Sequence, residues 1–152
     1  MNRLLKLLPF VAALLVYGCK KPVEVSPYKD VTPHNISGTW RLESWNGGLA
    51  ADTEVYIIFE RAERTFVMYD NLRTDYLHKS TGRYNITTDA NLGAIIIGEY
   101  DNGAGPWSDR YVVRELTDSS MKFIAKSSLE DDVLGEDVSL YVRAELPSEI
   151  EE

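Results

Sequence analysis

The chain has 152 residues, with 16 Lys and Arg against 24 Asp and Glu and a formal net charge of −8 at neutral pH, a size that suits one domain better than two. So acidic a chain is a poor partner for nucleic acid, whose phosphates are bound by clustered Lys and Arg, and it has no electrostatic pull toward an anionic bilayer surface. Its one cysteine, Cys19, excludes an intramolecular disulfide.

Arg3 and Lys6 precede an apolar stretch, Leu7 to Tyr17, that ends at Gly18 and Cys19; this is the order of a signal peptide. The stretch is shorter than the roughly 20 apolar residues that a membrane-crossing helix needs, and Pro9 interrupts it. Val16-Tyr17-Gly18-Cys19 resembles a lipobox, which implies cleavage before Cys19 and attachment of a diacylglyceryl group to its thiol. Each acyl CH₂ buried in lipid contributes about 0.8 kcal/mol, so two or more chains anchor a domain stably without protein contact to the bilayer. Residues 1–18 are therefore expected to be the signal peptide, and residues 19–35 the lipidated N-terminus and tether. Pro22, Pro27 and Pro33 among small and charged residues favour extended backbone there. No acidic cluster directly follows Cys19, which points to an outer-membrane lipoprotein facing the periplasm, with the cell surface as the alternative.

From Gly38 onward, short runs of alternating character are separated by Gly, Asn, Asp and Ser, the pattern of an all-β domain. The predicted strands are Thr39 to Trp45, Glu54 to Glu60, Thr65 to Tyr69, Gly82 to Thr87, Ala94 to Tyr100, Arg110 to Leu116, Met121 to Lys126 and Asp137 to Glu145. In the first, Trp40 and Leu42 share a face opposite Arg41 and Glu43; in the second, Val55, Ile57 and Phe59 oppose Glu54, Tyr56 and Glu60. One face is core and the other wet. Short connections such as Asn46-Gly47-Gly48 make sequential strands antiparallel neighbours. A meander of eight strands keeps two open edges unless it closes, so an up-and-down barrel is expected, with Leu140 to Arg143 pairing with Trp40 to Ser44.

Gly38-Thr39-Trp40, followed by Phe66, Tyr69, Gly82-x-Tyr84, Tyr111-x-Val113 and Leu116, resembles the Gly-x-Trp opening and strand order of the lipocalins, in particular the lipocalin-like domains of Bacteroidetes lipoproteins. The resemblance implies an eight-stranded antiparallel lipocalin-like β-barrel over residues 36–147, with residues 148–152 as an acidic tail. It also implies that Gly38 and Trp40 close one end of the barrel beneath an Arg of the last strand. Arg143 fits that role, with Arg114 as second choice; a cation over an indole contributes roughly 0.5 to 2 kcal/mol.

Function in such a barrel belongs to the interior and mouth. The inward positions are expected to include Phe59, Phe66, Met68, Tyr84, Ile86, Ile96, Tyr111, Val113, Phe123 and Leu140. Of these, Phe66, Met68, Tyr84, Tyr111 and Phe123, together with Trp107, are the candidate ligand contacts, and aromatic faces with hydroxyl or indole donors suit an amphipathic molecule or a sugar. The two longest connections, Asp70 to Thr81 and Asp101 to Asp109, are where specificity is expected. Trp107 in the second is either a binding platform or a lid. As a platform it would weaken ligand uptake when changed to Ala, with little loss of stability.

Metal and catalytic signatures are lacking. His34 and His78 have no partner at zinc-ligand spacing, and the acidic groups around Asp101 and Glu130 match no calcium loop. Neither a Gly-x-Ser-x-Gly elbow nor a His-Glu-x-x-His helix nor a phosphate loop occurs. The expectation is a binding protein without cofactor or metal, not an enzyme. It would carry or sense a small hydrophobic or amphipathic ligand, or else serve as a protein- or glycan-interaction module of the cell envelope with a filled barrel. A hollow interior favours the first and a filled one with exposed aromatics the second.

Overall fold

A computed structural model describes residues 25–126 and 134–150 of the chain. The predicted signal peptide, Cys19 and the acidic run Glu130 to Asp132 lie outside the described residues. The elements are a short helix α1 (Pro33–Ile36) and strands β1 (Gly38–Trp45), β2 (Val55–Phe59), β3 (Thr65–Asp70), β4 (His78–Asp89), β5 (Gly93–Tyr100), β6 (Gly105–Pro106), β7 (Arg110–Arg114), β8 (Ser120–Lys126) and β9 (Val138–Arg143). Every pairing is antiparallel, and β4–β5 joins the two ends of the hydrogen-bonded order, so eight strands close into a barrel while β6 is a two-residue arm on β5. The first and last strands zip together as the strand count demands, with Trp40 opposite Arg143 and Leu42 opposite Tyr141.

Period-two alternation fills the interior. Trp40, Phe59, Phe66, Ile96 and Met121 are fully buried, and with Phe123, Tyr84 and Tyr141 they belong to one apolar cluster. At the last strand the expected inward residue is corrected. Leu140 faces out and Tyr141 takes the inside position, because strict alternation from Arg143 selects residues 141 and 139. A bulge in β1 between Leu42 and Ser44 shifts the register, so that Trp45 stands opposite Ser139, on the face of Tyr141.

The end where β1 begins is plugged. The Trp40 indole donates to the Ile36 carbonyl at 2.7 Å, and the Arg143 guanidinium lies 3.8 Å from the ring centroid. Arg143 also donates to the backbone carbonyls of Ser37 and of Asn35, the latter at 2.9 Å. Gly38 combines a positive φ of 106° with an approach so close that a Cβ would lie 2.5 Å from Arg143 Nη1, so both backbone and space require glycine. Arg114 is elsewhere, beside Gly93 at the β4–β5 turn.

Part of the stretch predicted as tether is fastened to this end. Thr32 caps α1 by accepting from Asn35 N–H, Ile36 is fully buried, Lys29 N–H donates to the Leu116 carbonyl at 2.8 Å, and Lys29 pairs with Asp118. Periodicity is unreadable in a helix of four residues, which is why α1 escapes a sequence-pattern search. β4 also starts earlier than predicted, at His78, because Lys79 to Thr81 pair with Val67 to Tyr69.

A second, smaller apolar cluster lies on the outer wall, where Leu92, Ile95 and Val112 are buried with Ile97 and Leu134 against them. At the other side of the barrel the C-terminal residues Pro147 and Ile150 fold back to line a surface recess of about 310 Å³ with Tyr69 and Leu77. No helix among the described residues is long and apolar enough to cross a membrane.

Candidate functional site

Aromatic side chains occupy the barrel's centre. Phe123 stacks on Tyr111 at 5.5 Å between centroids and touches Tyr141 at 5.1 Å, while Phe59 meets Tyr84 edge-on at 5.0 Å. Phe66, Tyr84 and Phe123 are buried packing residues, and Met68 and Tyr111 are partly buried at the margin of the same cluster. Tyr84 sits toward the plugged end, where its hydroxyl donates to the Glu60 carbonyl at 3.1 Å and burial raises its pKa. Burial also raises the pKa of Tyr111, with the Asp109 carboxylate adding to the effect, and raises Tyr141 further still.

Trp107 is neither an exposed platform nor an outer lid. It is 8% exposed, joins the interior cluster, and lies 5.0 Å from Phe66 and 6.0 Å from Tyr111 between ring centroids. Its backbone N–H donates to the Gly98 carbonyl at 2.8 Å, so the chain after β6 continues along β5 and aims the indole inward over Gly98. A Cβ on Gly98 would stand 2.1 Å from Trp107 Cε2; the missing side chain is the indole's seat. The indole Nε1 is buried and meets no acceptor among the described residues. Sequence reasoning places Trp107 in a loop because the Gly-rich stretch before it hides the two-residue pairing of β6.

The barrel wall is broken beside this residue. Trp107 stands opposite Gly98 and Tyr111 opposite Ile96, so residues 108–110 face the single residue Ile97. Three residues against one is a bulge larger than the usual two against one, and it disrupts the ladder locally. A recess of about 440 Å³ opens there. Its lining mixes outward side chains, Arg83, Asn85, Ile97, Glu99, Arg110 and the buried Lys126, with residues of the interior, Tyr84, Gly98 and Trp107. Residues of both faces of the wall therefore border the recess. Of the predicted ligand contacts it gathers Trp107 and Tyr84, and leaves Phe66, Met68, Tyr111 and Phe123 outside its lining.

The residues that sequence reasoning missed are Arg83, Gly98, Arg110 and Lys126. Two signals point to them: a glycine that interrupts the apolar run Ile95-Ile96-Ile97, and cations at outward positions of an acidic chain. Neither says that a bulge unites them. Among the described residues no group of three or more His, Cys, Asp and Glu could hold a metal.

A family model described as a lipocalin-like domain matches residues 36–123. Among solved structures, a lipocalin-like protein from Bacteroides uniformis is similar at 17% identity, covering 72% of this chain and 99% of that one with a TM-score of 0.48. No curated protein matches the sequence.

Proposed function

The chain belongs to the lipocalin-like domain family, and from that premise we propose that it is an exported lipoprotein, acylated at Cys19, whose barrel binds a small amphipathic molecule at the wall recess beside Trp107. The observation that carries this reading is the recess itself. Its 440 Å³ lies within the range of about 300 to 1,000 Å³ typical of small-molecule sites, whereas aromatic rings take up the centre of the barrel. Apolar surface from Ile97, Pro106 and Trp107 beside charged side chains suits a ligand with an apolar body and a polar end. Export and anchoring rest on Arg3, Lys6, the apolar stretch and Gly18-Cys19, and Lys20-Lys21-Pro22-Val23 in place of an acidic cluster supports an outer-membrane position facing the periplasm over one at the cell surface.

A second reading, a protein- or glycan-interaction module, is favoured by the filled interior together with three exposed apolar side chains at the end opposite the plug. Trp45 is 49%, Leu72 52% and Tyr76 67% exposed. Native mass spectrometry of the full chain, purified from the membranes of the organism that makes it, separates the two. A small-molecule adduct supports ligand binding, and a stoichiometric protein partner without any adduct refutes it. The anchor is tested by Cys19→Ser, which is expected to abolish metabolic labelling with a clickable fatty acid and to move the protein to the soluble fraction. Persistent labelling would overturn acylation at this residue.

A further inference from the structure

In a chain with a net charge of −8, three cationic side chains, Arg83, Arg110 and Lys126, converge on one recess. Two carboxylates, Glu99 and Asp109, share it. Arg83 stands directly across from Glu99 in the β4–β5 ladder, the position where a cross-strand ion pair would be expected. Yet among the described residues neither Arg83 nor Arg110 has a carboxylate oxygen within ion-pair distance, the pairs there being Lys29 with Asp118, Arg41 with Glu43 and Lys122 with Glu115. Asp109 instead accepts from the Ser108 hydroxyl at 3.1 Å. Ile97, Pro106, Tyr84 and Trp107 line the same recess.

Cationic side chains beside apolar ones are the complement of a small anionic amphipath. We propose that the recess takes a monoanionic ligand, with a flat or short apolar body against Ile97 and Pro106 and a carboxylate or sulfonate held by Arg83 and Arg110. A guanidinium presents paired N–H donors in a plane that matches such an anion, and these charge-assisted bonds are roughly twice as strong as neutral ones. Arg110 pairs with Lys126 in the β7–β8 ladder, while its β5 side falls in the mismatch at residues 108–110, beside the recess. This inference rests on the reading of the recess as a ligand site and adds the ligand's charge.

Equilibrium dialysis of the full chain in detergent, against a matched micelle blank, tests it with two probes of the same shape, 2-naphthoate and the neutral 2-naphthamide. Naphthoate is expected to bind roughly tenfold more tightly, about 1.4 kcal/mol. Arg83→Gln and Arg110→Gln are each expected to shrink that preference while leaving naphthamide binding unchanged, with circular dichroism confirming the fold. Equal binding of both probes would overturn the anionic class and leave the small-ligand reading standing. A preference for naphthoate that survives both substitutions would place the anion elsewhere and equally overturn the proposal. Retention of neither probe would sink the ligand reading and the charge assignment together.

Discussion

Two glycines in neighbouring strands seat two aromatic rings. A Cβ on Gly98 would meet the Trp107 indole at 2.1 Å, and one on Gly82 would meet the Phe66 ring at 2.7 Å and the Glu99 carbonyl oxygen at 2.1 Å. Both rings join the interior cluster and touch each other edge-on. Because Trp107 is core, Trp107→Ala should cost about 3 to 5 kcal/mol, in place of the near-neutral stability expected of a loop residue. Gly98→Ala is the sharper probe. It should lower unfolding stability by about 1 to 3 kcal/mol through overpacking and shift tryptophan emission to the red as the indole is displaced. Unchanged emission and midpoint would show that the ring does not rest on Gly98.

At the scale of elements, the helix before the barrel acts as part of it. α1 supplies the buried Ile36 side chain and the carbonyl that accepts from the Trp40 indole, and Asn35 and Ser37 supply carbonyls to Arg143. Hydrogen bonds to a charged group contribute about 1.5 to 3 kcal/mol each, and burying an aliphatic side chain such as Ile36 contributes roughly the same again. A chain beginning at Gly38 should therefore unfold at a clearly lower urea concentration than one beginning at Val25. Equal midpoints would mean that residues 25–37 are dispensable. The bulge between β6 and β7 is the opposite kind of element, one that interrupts hydrogen bonding and opens the wall where the recess lies.

For the whole molecule, closure of the barrel buries tyrosines that the unfolded chain leaves in water. Burial raises the pKa of Tyr141 first of all, with the proximity of Tyr111, Tyr100 and Asp70 adding to it, and burial raises Tyr100 and Tyr111 as well. In each the folded pKa lies above the unfolded value of 10.0. Their contribution is thus complete below about pH 10 and lost as the pH rises beyond it, because the unfolded chain ionises first. Urea midpoints should hold steady through neutral pH and fall steeply above about pH 10. Tyr141→Phe should blunt that fall, and a fall of unaltered steepness would remove Tyr141 as a source.

The sequence alone determined the class of this fold, since alternating runs bounded by Gly, Asn and Asp can bury one face only as strands, and eight of them in a meander have an economical way to hide both edges. It also pointed to the plugged end, through the resemblance that Gly38 and Trp40 carry, while the pairing of the first strand with the last set Arg143 rather than Arg114 over Trp40. Tertiary structure decided the rest. Whether Trp107 faces solvent or core depends on a two-residue pairing of β6 that has no periodicity to read. Whether Leu140 or Tyr141 faces inward depends on register, and a slip of one residue exchanges the faces. The recess exists because three residues stand opposite one, a mismatch between β5 and the segment that joins β6 to β7, which is a matter of pairing and leaves no mark in either strand's own pattern.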